Sequence, residues 1–167
     1  MGQLLTKMRR VCRRAFSGRD SGQALVETAL TMPVLLIMLV GAVELGRTAY
    51  TAIEVANSAK AAAQYGAQNP GTSVDTTTMQ TLAVNEAKDY GITLNTPITV
   101  TPSCKCAKLG TTSADTCGST STCASTGGYL VTTLTISTSA NFTPVFHIPG
   151  IGPSFTVYGG AVQEVLF

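Results

Sequence analysis

From Thr28 to Val43 the chain carries no charged residue, yet the helical pattern does not stop where that apolar run stops. Glu44 and Arg47 follow at once, then an alanine-rich continuation through Tyr65. One acid, Glu27, stands at the inner edge of the run. Few folds accommodate such a segment. Its first half needs surroundings without water, and its second half needs a partner surface along one stripe.

The run from Thr28 to Val43 is short for a membrane span, which takes about 20 residues. Adding Ala24 to Val26 restores the length but places Glu27 inside the apolar zone, where an ionisable group is costly and marks a functional candidate. The plain alternative is that Glu27 snorkels to the headgroups. As one helix, Gln23 to Gln68 would extend roughly 69 Å. Pro33 should free the carbonyl of Ala29 and bend or loosen that turn. Beyond the run, Leu45, Ala49, Ala52, Ala56, Ala59, Ala63 and Ala67 recur at three- and four-residue steps. This small-residue stripe suits close approach of another backbone. Its later half is expected to dock on the chain's own sheet, and its earlier half on a neighbouring helix. Glu44 and Arg47 either anchor the helix at the outer interface or simply solvate it.

Charge orients the segment. Six basic residues (Lys7, Arg9, Arg10, Arg13, Arg14, Arg19) precede Gly22 against the single acid Asp20. The remainder holds five Lys/Arg against eight Asp/Glu, a balance of −3 hidden under the overall +2. Basicity therefore belongs to the leader, which removes the main support for nucleic-acid binding. Basic residues ahead of an apolar run stay on the cytoplasmic side, so the rest should face outward. The expected organisation is a basic leader over 1–22, a long helix over 23–68 with its first half in the membrane, and an extracytoplasmic head over 69–167.

Cysteine usage agrees. Cys12 lies in the leader, while Cys104, Cys106, Cys117 and Cys123 cluster in the part expected to be exported, where disulfides persist. Four cysteines allow three pairings. If the stretch around Cys104 and Cys106 is extended, those two sit roughly 6.5 Å apart and do not join each other, so each should reach across to Cys117 or Cys123.

The head is expected to be α+β. Asn69-Pro70-Gly71 marks a stop and turn. Asp75 offers an N-cap to a helix over Thr76–Tyr90, closed by Gly91. Ile92 to Pro102 alternates as a strand begun or interrupted at Pro97, and Ser103 to Gly128 reads as a loop stapled by the cysteines. Tyr129 to Thr138 is a strand with Leu130, Thr132, Leu134 and Ile136 on one face. Asn141 to Pro153 reads as a rigid irregular connection. Ser154 to Phe167 is a last strand with Phe155 and Val157 on one face; a bulge at Gly159-Gly160 would change phase and turn Val162 and Leu166 inward. Together these make an antiparallel sheet of three or four strands packed on the end of the long helix.

Enzyme chemistry finds little support. Cys-x-Cys followed by wide spacings departs from zinc patterns, and the single histidine, His147, stands alone. No nucleophilic triad or phosphate-binding glycine loop is present, and Glu86 and Asp89 form a solvated helix face. Asn141-Phe142-Thr143 fits a glycosylation sequon of a length that recurs by chance. No catalytic residue, metal, cofactor or small-molecule substrate is expected.

Gly22-Gln23-Ala24-Leu25-Val26-Glu27 resembles the prepilin signature of the type IV pilin superfamily. The longer run from Gly22 through Pro33, with Val40-Gly41-Ala42-Val43-Glu44-Leu45-Gly46-Arg47, looks more narrowly like the TadE family of minor pseudopilins of the tight adherence (Flp pilus) system. Phe142-Thr143-Pro144 and Ile148-Pro149-Gly150 before a last strand are similar to that family too. Thr28 departs from it, where many relatives carry an aromatic. The resemblance implies that a prepilin peptidase cuts after Gly22 and makes Gln23 the new N-terminus. Glu27 is then the acid that a neighbouring subunit's amine can pair. The implied partners are that peptidase, other pilin subunits, the inner-membrane assembly machinery and membrane lipid. The implied location is the inner membrane, with passage into the extracellular pilus on assembly. Two other readings fit the same outward-facing head. One is an uncleaved membrane-anchored protein. The other is a secreted binding module freed by ordinary signal peptidase around Ala49 and Ala52, which would discard the stripe.

Overall fold

The computed structural model describes residues 20–118, 121–146 and 152–167. Helix α1 runs Asp20–Gly66 and continues through Pro33. It is followed by α2 (Thr76–Asp89) and four strands: β1 (Thr99–Lys108), β2 (Thr111–Ala114), β3 (Tyr129–Phe142) and β4 (Phe155–Leu166). The chain divides into two compact units, one ending at Val43 and one spanning Glu44–Phe167. Most of the basic leader, with Cys12, lies outside the described residues, as does His147.

The second unit is α+β, as the pattern of elements predicts. Its sheet is antiparallel throughout, in the order β2-β1-β3-β4. Residues Leu130, Thr132, Leu134, Ile136, Thr138, Ala140 and Phe142 of β3 all point inward and are buried. The last part of α1 supplies Val55, Ala59, Ala62 and Ala63 to the core, and α2 supplies Met79, Ala83 and Ala87. These pack with Leu94, Ile98, Leu134, Ile136 and Ala140. Alanine on both helices lets them lie close to the sheet. Where α1 crosses β4, a Cβ on Gly159 would stand 2.6 Å from backbone atoms of Val55 and Ala56. The Thr138 hydroxyl donates to the Val55 carbonyl at 2.7 Å at the same crossing.

Local signals set the ends of α2. The Asp75 carboxylate accepts from the Thr78 amide at 3.1 Å, an N-cap bond. Gly91, at φ +73°, turns the chain after the helix. The Gln80 amide nitrogen then donates to the Ile98 carbonyl at 2.8 Å and ties α2 to the lead-in of β1.

Several expectations are corrected. Helix α1 begins at Asp20 and ends at Gly66, against the expected 23–68. The stretch from Ser103 is not loop: β1 continues through Cys104 and Cys106 to Lys108 and turns back into β2. Pairing with β3 carries it, since Cys104 lies opposite Thr132 and Cys106 opposite Leu130. Strand β3 runs on to Phe142, because Ala140 and Phe142 keep the buried alternation. No bulge interrupts β4: the register with β3 is unbroken from Val131↔Leu166 to Phe142↔Phe155. The phase is therefore kept, and Val162 and Leu166 point outward and are exposed while Val157 is buried. Glycine at 159 answers the close approach of α1 and not a kink in the strand.

Candidate functional site

Among the described residues, one helix is long and apolar enough to cross a membrane, within Gly22–Gly66. From Gly22 to Leu39 every side chain is exposed, including Leu25, Leu30, Leu35, Leu36, Ile37 and Met38. So many aliphatic groups on all sides of one helix suit a lipid environment or a bundle of helices. The two threonine hydroxyls along it are answered internally. Thr28 Oγ1 donates to the Ala24 carbonyl at 2.9 Å and Thr31 Oγ1 to the Glu27 carbonyl at 3.0 Å. Gly22 and Gln23 are exposed at its start, and Pro33 and Val43 lie within it.

Two carboxylates flank this apolar stretch and differ in kind. Glu27 is exposed, and among the described residues nothing bonds its carboxylate. Glu44 is only 5% exposed. Its Oε1 accepts from the Val145 amide at 2.9 Å, and its two oxygens accept from Arg47 Nη1 at 3.3 and 3.2 Å. The Arg47 guanidinium in turn lies 5.3 Å from the centre of the Phe142 ring, which packs on Phe155 at 5.2 Å. Glu44 and Arg47, both singled out in the sequence, thus form a clamp joining α1 to the chain after β3. Val145 and Phe142 could not be found from sequence, because they lie about a hundred positions away and carry no local signal.

The later half of the small-residue stripe docks on the chain's own sheet, as expected. Ala59 and Ala63 are buried in the core, while Leu45 and Ala49 remain exposed.

The cysteines pair as Cys104–Cys117 and Cys106–Cys123. Cys104 and Cys106 point inward from alternate positions of β1, and neither joins the other. With Leu130 they form a second small core under the segment after β2. Cys106, Asp115 and Cys123 bring three possible ligand atoms within 4.8 Å. Two of them are the halves of one disulfide, and the Asp115 carboxylate accepts from the Thr116 amide at 2.7 Å and the Ser121 hydroxyl at 2.9 Å. The cluster is therefore a structural staple. The Asn141 carboxamide oxygen of the sequon accepts from Asn95 and from the Thr156 hydroxyl within the sheet.

No curated protein and no solved structure matches the chain. Residues 22–64 match the family model described as TadE-like protein. The match starts at Gly22, ahead of the exposed Glu27, and passes through the Glu44–Arg47 clamp to the alanines of the core. It lies wholly within α1, about a quarter of the chain. Over this helix the chain is similar to TadE-like proteins, a family associated with the tight adherence pilus.

Proposed function

We propose that the chain is a minor pilin-like subunit that a prepilin peptidase processes between Gly22 and Gln23, and that takes part in assembling a tight-adherence pilus for surface attachment. Before assembly the exposed apolar half of α1 holds the subunit in the inner membrane, with the leader in the cytoplasm and the head outside. On assembly, Glu27 receives a neighbouring subunit's N-terminal amine.

The observation that carries this reading is the contrast between the two acids. Glu44 is satisfied within its own chain, whereas among the described residues nothing bonds the Glu27 carboxylate on its apolar helix. A carboxylate in low-dielectric surroundings needs a cation, and a bundle of like subunits offers one amine for each acid. The continuation of α1 argues against release by ordinary signal peptidase. Glu44 to Gly66 is built into the folded head, and a cut near Ala49 would remove the residue that clamps Val145.

The test is the behaviour of Glu27→Ala in cells carrying the full pilus system. The variant should accumulate in the membrane at the normal level, yet appear in sheared pili, or support piliation, at a level reduced several-fold. Normal incorporation and piliation would refute the charge-pairing role.

A further inference from the structure

We propose that the loop Pro144–Phe146 lies in the outer headgroup layer of the membrane that α1 crosses, so that the head contacts lipid beside its own helix. This rests on the membrane-anchoring reading above.

The argument begins with depth. A span needs about 20 residues, and the uncharged run ends at Val43, short of that length when counted from Thr28. Counted from Ala24, which places Glu27 inside the apolar zone, the span reaches its length at Val43, and Glu44 to Arg47 come next. The headgroup layer on each side is roughly 6 Å thick, about the rise of the four residues from Glu44 to Arg47. Those residues therefore fall in that layer. The loop is fixed at the same level by the Val145 amide on the Glu44 carboxylate at 2.9 Å.

The chemistry of the loop fits that depth. Val145 is 68% exposed and Phe146 48%, and Leu45, the residue after Glu44 on the helix, is 73% exposed. Thr143 to Phe146 carries no charge. The one acid at this level is withdrawn from lipid, because it accepts from Arg47 and the Val145 amide. Arg47 holds its guanidinium over Phe142 and against Glu44, an arrangement that lets a cation reach the headgroups without facing the acyl chains. An apolar loop with an aromatic tip, next to a paired acid and base, is what a membrane interface accepts.

Tryptophan reporters can test this directly, since the chain contains no tryptophan. The full chain with Phe146→Trp is reconstituted into vesicles of phosphatidylethanolamine and phosphatidylglycerol containing phosphatidylcholine brominated near the headgroup end of its acyl chains. Val145→Trp serves as a second reporter should the first perturb the loop. Leu36→Trp reports the span, and Tyr129→Trp reports the opposite end of β3. The proposal expects blue-shifted emission from the loop reporters and quenching several-fold greater than for Y129W. Loop reporters quenched no more than Y129W, with L36W strongly quenched, would overturn the proposal and leave membrane anchoring intact. An unquenched L36W would remove the anchoring reading itself, and the proposal with it.

Discussion

The Val145 amide donates to the Glu44 carboxylate at 2.9 Å, joining positions 101 residues apart at the point where α1 passes from its exposed apolar stretch into the head. A buried carboxylate costs free energy unless it is both paired and hydrogen-bonded, and here Arg47 and Val145 supply the two.

Glu44→Ala leaves the Val145 amide and Arg47 without their acceptor and should destabilise the head by about 1–3 kcal/mol. Glu44→Gln retains an acceptor of the same size and should cost distinctly less. Thermal melts of the full chain in detergent, followed by circular dichroism, measure the difference. Equal loss for both variants would show that the charge matters and the hydrogen bond does not.

Gly159→Ala should be more damaging than alanine at an ordinary strand glycine. Its Cβ would meet the backbone of Val55 and Ala56, which cannot swing aside as a side chain can. Separating α1 from β4 should cost about 1–3 kcal/mol and weaken the Thr138–Val55 hydrogen bond. The control is Gly160→Ala, which faces the outer side of the sheet and should leave the melting midpoint nearly unchanged.

Each disulfide closes a short loop, 13 residues for Cys104–Cys117 and 17 for Cys106–Cys123. Replacing either pair by serine should cost about 3 kcal/mol through the freer unfolded chain. Non-reducing peptide mapping should recover the two pairs named here. Linked peptides joining Cys104 to Cys123 would contradict the pairing.

Acid should weaken the head through two aspartates. Hydrogen bonds from the Thr78 side chain and amide, with a further one from Tyr65, hold the Asp75 carboxyl below its ordinary value. The Thr116 amide and the Ser121 hydroxyl do the same for Asp115. The unfolded chain then binds protons more readily than the folded one at these sites. Their stabilisation is complete above the ordinary carboxylate value near about pH 4 and is lost as pH falls through the lower folded-state values. Melting midpoints should drop on acidification through that window. The drop should be shallower in an Asp75→Asn, Asp115→Asn double variant, in which asparagine still caps α2.

Much of this architecture is legible in the sequence because it rests on short-range chemistry. The uncharged run to Val43, the Asp75 cap, Gly91 after α2 and the alternation of β3 all act within a few residues of themselves. The failures have the opposite character. Strand β1 persists through Pro102 and two cysteines because β3 pairs with it, and that pairing outweighs a local composition suited to loops. Gly159-Gly160 suggests a bulge, yet the glycine at 159 is required by a helix about a hundred residues upstream. Glu44 looks like an interfacial or solvated charge until Val145 is placed beside it. For the candidate site, Glu27 stands out as the acid at the edge of an uncharged run and Gly22 through the resemblance to the prepilin signature, while the clamp at the other end of the apolar stretch exists only through tertiary contact.

Pilin-type processing is the central claim, and the intact mass and N-terminal sequence of the protein from its native membrane test it most directly. The account predicts a mature chain beginning at Gln23, with Met1 retained when the prepilin peptidase is deleted. A chain that begins at Met1 with the peptidase present, or one that begins near Tyr50, would contradict it.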